Sequence, residues 1–163
     1  MTRILQTSMA QNKYVPPTPF VAGMVAVAMA RYSMVVGTDF ATTDRVEILP
    51  LPGYCRIVGY RLLTQGTWTG TTAIVAVLDG TYGDAISTTR DFVASTKLLD
   101  AVDLTVINSA QQATVNAALL LAPAVDTDRG IALQPSQAVT GATTKKFALQ
   151  MFYANGAEMM NID

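Results

Sequence analysis

The chain has 163 residues, which fits one domain, and it carries 11 Lys and Arg residues against 12 Asp and Glu residues. Charged residues make up 14% of it and hydrophobic residues 50%, whereas an average soluble domain has about 25% charged residues. This balance supplies no basic field for nucleic acid and no acidic tail, so no nucleic-acid partner is expected. A chain so hydrophobic and so poor in charge indicates that much of its surface faces other protein.

The longest apolar run, residues 20–30, has eleven residues and is followed by Arg31. A helix needs about 20 apolar residues to span a bilayer, so no membrane partner is expected. Ala28-Met29-Ala30 resembles a signal-peptide cleavage site, but residues 1–19 before the run contain three prolines and two basic residues. That pattern is not typical of a secretory signal peptide.

Residues 1–19 predict an extended N-terminal arm, because prolines there exclude a helix. Ordering such an arm costs about 1–2 kcal/mol per residue, and this polar segment has few anchors of its own. We therefore expect the arm to lie on a neighbouring subunit or a partner, and an arm folded back on its own domain is the alternative. The predicted partner contacts are Tyr14, Val15, Pro16, Pro17 and Pro19 of the arm, together with Trp68.

Residues 20–36 predict a strand with Val25, Val27 and Met29 on one face and mostly small residues on the other. This pattern favours a strand packed closely on both sides, although a buried helix is the competing interpretation. Residues 44–51 alternate partly between apolar and charged, and prolines end that strand.

Residues 55–63 and 73–78 predict two strands joined by a polar connector that contains Trp68. Both runs are apolar at odd and even positions, as at Ile57 and Val58. A strand that is apolar on both faces is covered on both faces. A second sheet can cover one side, and the other requires more chain or a partner protein.

In the second half, residues 92–100 predict one or two turns of helix, and residues 102–107 a short strand. Residues 108–112 predict a loop, and residues 113–122 fit a strand slightly better than a helix. Residues 129–133 and 145–153 predict strands, the last with Phe147, Leu149 and Met151 on one face. About eight short strands without βαβ alternation predict an all-β fold, an antiparallel β-sandwich or jelly roll. The sandwich domain then covers residues 20–154, between the arm and a polar tail at 155–163.

The residue types required for most enzyme chemistry are missing from this sequence. It has no histidine, which removes the Ser/His/Asp triad and histidine metal sites, and no phosphate-binding glycine motif. The single cysteine, Cys55, permits neither an intrachain disulfide nor a CxxC zinc site, and we interpret it as a small buried hydrophobic residue. We therefore expect neither an enzyme nor a cofactor.

Two features leave alternatives open. Asp126 and Asp128 form an Asp-Thr-Asp pair, and Asp79 and Asp84 flank a glycine loop. Solvated turn carboxylates explain them better than calcium ligands do. Trp68 is the second feature, and three interpretations of it stay open. Its ring covers the end of the sandwich, contacts a partner at an interface, or stacks on a sugar.

Four segments carry a resemblance to a known family: LPLPGYCRIVGYRLL, TTAIVAVLDGTYGD, DTDRGIALQPS and the closing KKFALQMFY. Over residues 45–154 this pattern resembles the capsid decoration, or cement, proteins of tailed bacteriophages. The resemblance implies a β-sandwich bound to the outside of an icosahedral head. It also implies homotrimers at three-fold positions that bridge capsomers. The arm and the tail are not part of this pattern.

The leading hypothesis is a structural virion protein on the capsid exterior that binds the assembled phage capsid and stabilises it. Its expected partners are the major capsid protein and itself, as a homotrimer. A carbohydrate-binding or adhesin-like surface module is the first alternative, suggested by Trp68 and the scattered tyrosines. Another virion component, such as a tail or neck subunit, is the second.

Overall fold

The computed structural model describes residues 4–6, 24–34, 36–37, 39–68, 71–83, 90–104, 110–111, 125–141 and 143–155. Within these ranges the chain forms nine strands and no helix. The strands are β1 (Ile4–Gln6), β2 (Val25–Met34), β3 (Arg45–Leu51), β4 (Cys55–Gln65), β5 (Thr72–Leu78), β6 (Phe92–Asp103), β7 (Ala110–Gln111), β8 (Arg129–Pro135) and β9 (Lys145–Asn155). This part of the chain accordingly contains no helix that is long and apolar enough to cross a membrane.

The strands form two sheets. The five-stranded sheet has the order β1-β3-β8-β5-β6, and the four-stranded sheet has the order β2-β9-β4-β7. Neighbouring strands are antiparallel except β1 and β3, which are parallel. The prediction of an all-β antiparallel sandwich is confirmed.

The core lies between the two sheets and follows the two-residue period of the strands. Alternate residues of β9 point inward, and Phe147, Leu149 and Met151 are buried as predicted. Cys55 at the start of β4 is also in the core, where its thiol is buried. In β5 the neighbouring residues Val75 and Ala76 are both fully buried, so this strand is covered on both faces, as its sequence predicts.

Strand β2 confirms the strand interpretation for Val25–Met34 but corrects the expected packing, and residues 20–23 and 35 lie outside the described part of the chain. Val27 and Met29 are 51% and 46% exposed, whereas Ala28 and Ala30 are buried. The alanines face inward because small side chains let this edge strand lie close to the core. The prediction that β2 packs closely on both sides is therefore wrong for the chain by itself.

The helix predicted for residues 92–100 is also wrong, since these residues belong to β6. They pair antiparallel with β5, with Leu99 opposite Val75 and Phe92 opposite Leu78. The local apolar spacing fits either period, and the open edge of β5 decides the outcome by supplying hydrogen-bond partners. Residues 102–103 continue the same strand instead of beginning a new one, and the loop predicted at 108–112 contains β7. The prediction for residues 113–122 lies outside the described residues.

The start of the N-terminal arm returns to its own domain. Ile4 and Gln6 pair in parallel with Arg45 and Glu47 of β3. For these arm residues the expected contact with a neighbour is wrong, and the alternative of a folded-back arm holds. Residues 7–23 and 156–163 lie outside the described part of the chain, as do the predicted contact residues Tyr14, Val15, Pro16, Pro17 and Pro19.

Candidate functional site

The four-stranded sheet presents one face to the core and one to solvent. We call the solvent side the outer face and define it as the outward-pointing residues of Val25–Met34, Cys55–Gln65 and Lys145–Asn155. The strand register aligns these residues in rows, with Arg31 and Leu63 on either side of Ala148. The outer face is thus a continuous surface three strands wide.

Exposed apolar side chains are concentrated on this surface. Of the eight large hydrophobic side chains exposed in the described part of the chain, five belong to β2 or β4 and a sixth directly precedes β2. They are Met24, Val25, Val27, Met29, Val58 and Leu63. Clustered exposed apolar residues mark contact surfaces, whereas scattered ones do not.

The charges on the outer face all have one sign. Arg31, Arg56, Arg61 and Lys146 lie at outward positions, and β2, β4 and β9 contain no Asp or Glu. Lys145 points the other way, where its Nζ donates a hydrogen bond to the carbonyl oxygen of Thr140 at 2.8 Å. The outer face is therefore cationic as well as apolar, although the whole chain has a net charge of −1.

A groove of about 460 Å³ crosses the outer face between β2 and β4. Met29 and Arg31 line one side and Leu63 the other, with Ala148 of β9 between them. The groove lies on the surface and its lining mixes apolar and cationic groups. The groove therefore offers apolar contact and positive charge side by side.

Phe152 is held on the same face by its two neighbours. The guanidinium carbon of Arg61 lies 5.8 Å from the centroid of the Phe152 ring. A Cβ atom at Gly59 would lie 3.5 Å from the ring, so Phe152 packs directly against the backbone of β4. The aromatic ring is thereby fixed as part of the contact surface.

Strand β2 is also an edge strand, because in the order of the described strands it borders β9 and no other strand of its sheet. It is ten residues long, and Arg31 is its one charged residue. Natural edge strands are usually short or protected by charges, prolines or bulges, because an exposed edge can pair with another chain. A long edge with little protection next to the outer face extends the surface available to a partner.

On the opposite sheet, a buried charge cluster holds a loop in place. Glu47 Oε1 lies 2.8 Å from Arg90 Nη2, and both side chains are buried. Arg90 Nε donates to the carbonyl oxygen of Asp79 at 2.9 Å, and Arg45 donates to the carbonyl oxygen of Arg90. Burial, reinforced by the charge of Glu47, raises the pKa of the Tyr82 hydroxyl. The cluster fastens residues 79–83 and 90–92 to the five-stranded sheet.

The acidic residues considered as metal ligands serve the turns. Asp128 Oδ1 accepts a hydrogen bond from the backbone N–H of Gly53 at 2.8 Å, and Asp79 Oδ1 accepts one from the N–H of Asp91 at 2.7 Å. Asp84 lies outside the described residues. Across the described ranges there is no group of three or more His, Cys, Asp and Glu residues that could hold a metal ion. The interpretation as turn carboxylates is confirmed for Asp79 and Asp128.

Trp68 is 1% exposed and belongs to the core. Its Nε1 donates to the carbonyl oxygen of Gln65 at 3.2 Å, and its ring centroid lies 6.1 Å from that of Phe147. This position agrees with a ring that covers the end of the sandwich. A sugar platform needs an exposed ring face, and a partner could reach this ring only after it had moved.

The sequence interpretation did not identify the outer face as a site. The signal was present in the large residues at alternate positions of β2 and in the absence of acidic residues from three strands. Large residues at alternate positions fit packing positions equally well, and the net charge of the whole chain hides the single sign of the charges on this sheet.

The chain matches no protein-family model and no curated protein. Among solved structures it resembles a chain of the capsid of Ralstonia phage GP4, with a TM-score of 0.73 and 22% sequence identity. That match covers 94% of this chain and 98% of the other. It also resembles a chain of the capsid asymmetric unit of cyanophage Pam1, with a TM-score of 0.50 and 23% identity over 90% and 96% of the two chains. At these identities the likeness shows a common fold.

Proposed function

We propose that this protein is a structural component of a bacteriophage virion, and specifically a decoration protein that binds the outside of the assembled capsid. The observation that carries the proposal is the fold shared over 94% of the chain with a chain from a phage capsid. The cement-protein pattern at residues 45–154 supports it independently. In this proposal the partners are the major capsid protein and other copies of the chain, arranged as a homotrimer.

The proposed mechanism is stabilisation by mass action. A protein that binds the assembled shell, and not its separated subunits, adds its binding free energy to the stability of the shell. Bridging two capsomers multiplies this effect, because neither can leave without breaking the contact. An adhesive surface is sufficient for this role, and the exposed apolar side chains of β2 and β4 provide one.

The N-terminal arm has a separate part in the proposal. Ile4–Gln6 fixes one end of the arm to β3, and Val25 begins β2 at the other end. We propose that the segment between these points grips a neighbouring subunit or the shell through Tyr14, Val15, Pro16, Pro17 and Pro19.

Particles assembled with and without this protein test the proposal. Particles that carry it are expected to release their genome at a higher temperature, and purified protein added to bare particles is expected to restore that temperature. Equal stability of the two kinds of particle would contradict a cementing role. Particles that lack only an unrelated virion protein provide the control.

The number of copies per particle separates a shell protein from a tail or neck subunit. A decoration protein follows the icosahedral lattice and is present in a fixed ratio to the major capsid protein. A tail or neck subunit is present in a few copies at one vertex. Quantitative mass spectrometry of purified particles measures this ratio. A carbohydrate-binding module receives less support, because the tryptophan that suggested it is buried.

A further inference from the structure

We propose that the outer face of the four-stranded sheet is the surface that contacts the shell, and that it docks on a different protein that presents carboxylates among apolar side chains. This inference rests on the proposed function for the identity of the partner as a shell subunit. The chemistry of the partner is inferred from the outer face itself.

The apolar part of the argument concerns β2. Val25, Val27 and Met29 are each about half exposed, at 51%, 51% and 46%, and they point the same way along one strand. In water such a row is unfavourable, and burying it against another apolar surface contributes binding free energy. The groove beside Met29 can receive a side chain of the partner. The partner must therefore bring apolar groups.

The charges add the second requirement. Arg31 and Lys146 line the groove, and Arg61 lies in the neighbouring row of the outer face, opposite Gln150. The three long strands of this sheet provide no carboxylate to pair with these cations. Charges that become buried in an interface need opposite charges, or the desolvation cost opposes binding. The partner must therefore bring Asp or Glu side chains to the rows that contain Arg31 and Arg61.

A second copy of the chain does not meet this requirement. Two outer faces packed on each other would bring arginines against arginines. Among the carboxylates exposed elsewhere in the described residues, those of Asp91 and Asp79 are already engaged: Asp91 Oδ1 lies 2.6 Å from Arg45 Nη2, and Asp79 Oδ1 accepts a hydrogen bond from the N–H of Asp91. Charge complementarity thus favours a non-identical subunit.

Nucleic acid is excluded by the composition of the same surface. A phosphate backbone is bound by many cations and polar donors along a track, with little need for apolar contact. Here the cations are separated by Val27, Met29 and Leu63, which would lie unfavourably against phosphates.

The experiment measures binding of purified protein to particles that lack it. Arg31→Glu changes the net charge by two units on the outer face, and we expect about tenfold weaker binding at an ionic strength of about 0.1 M. The double variant Thr43→Glu/Gln137→Glu makes the same change of net charge at exposed positions away from the outer face, and we expect it to bind like the wild type. Arg61→Gln, which removes a charge without adding one, is a second test should Arg31→Glu fail to fold.

The outcomes distinguish this inference from the proposed function. If Arg31→Glu and Arg61→Gln bind as well as the wild type, the outer face is not the contact surface, while the cementing role stands. If the wild type itself does not bind the particles, both proposals fail. If Arg31→Glu instead dissociates an oligomer of the free protein, or abolishes binding to duplex DNA, the partner is a second copy or nucleic acid and the inference is overturned.

Discussion

Glu47 and Arg90 form an ion pair whose members are 0% and 5% exposed, with Glu47 Oε1 at 2.8 Å from Arg90 Nη2. A buried pair of this kind is costly to break, because the remaining charge stays in a medium that solvates it poorly. It joins a central part of β3 to the segment that leads into β6. The pair is therefore a buried polar contact that fixes the segment beginning at Arg90 to the five-stranded sheet.

Replacing one member of the pair is expected to destabilise the protein strongly. Glu47→Gln leaves the guanidinium of Arg90 buried without its countercharge, and we expect the free energy of unfolding to fall by about 3–5 kcal/mol. Urea denaturation measures this loss. Asp91→Asn is the control, because Asp91 is 72% exposed in its pair with Arg45, and exposed pairs contribute about 1 kcal/mol or less. Equal losses in the free energy of unfolding for the two variants would show that the buried pair stabilises the protein no more than the exposed pair does.

Full stability is expected to require glycine at position 130, because the backbone there lies too close to the Glu47 carboxylate for a larger residue. A Cβ atom at position 130 would lie 1.9 Å from Glu47 Oε1, so alanine there must displace the carboxylate. We expect Gly130→Ala to lower the free energy of unfolding by about 1–3 kcal/mol through overpacking. At Gly59 the added Cβ would meet the Phe152 ring at 3.5 Å, an ordinary contact. Gly59→Ala should therefore leave the urea midpoint nearly unchanged, and a larger effect at Gly59 than at Gly130 would refute this explanation.

The single tryptophan provides a direct test of the core. Because Trp68 is 1% exposed, its fluorescence in the native protein should be shifted to the blue and resist quenching by acrylamide. Both properties should be lost together on unfolding. Trp68→Ala should cost about 3–5 kcal/mol, as for other large core residues, and circular dichroism can follow its urea denaturation. Quenching of the native protein as efficient as that of the unfolded chain would show that the ring is exposed.

The raised pKa of the Tyr82 hydroxyl predicts that the protein loses stability at alkaline pH. Burial, with the charge of Glu47 nearby, raises the pKa of its hydroxyl above that of the unfolded chain. Above about pH 10 the unfolded state loses this proton while the folded state keeps it, so stability is complete below that pH and falls as the pH rises further.

The variant Tyr82→Phe isolates this effect. The Tyr82 hydroxyl is buried without a hydrogen-bond partner among the described residues, so its removal should cost little at neutral pH. Urea midpoints measured from pH 8 to pH 11 should fall less steeply for the variant than for the wild type. Parallel pH curves would assign the alkaline loss to other groups, such as Tyr60, whose pKa burial also raises.

The strands that sequence patterns predict well are those whose apolar period agrees with their environment. β9 has inward Phe147, Leu149 and Met151 alternating with more exposed residues, so its local pattern and its place in the sandwich agree. The helix predicted for residues 92–100 is wrong because the apolar spacing of these residues suits a helix and a strand equally well. The choice was made by β5, which lies beside them in space and offers an unpaired edge.

The two sites differ in what the sequence could reveal. The buried pair joins residues 47 and 90, and the local sequence around each residue does not indicate a contact over that separation. The outer face could have been found, because the positions of Arg31 and Arg61 and the missing acids are visible in the sequence. What the sequence could not show is which side of β2 faces the core, since alanines and valines are both apolar.

The parallel pair between β1 and β3 leads us to expect exchange between separate molecules on long storage. β1 is three residues long, and short terminal strands open more readily than the strands they cover. Each opening uncovers the backbone at the border of the five-stranded sheet, where the same strand of another molecule can pair instead. Exchange of β1 between molecules would then link copies head to tail while every sandwich stays folded.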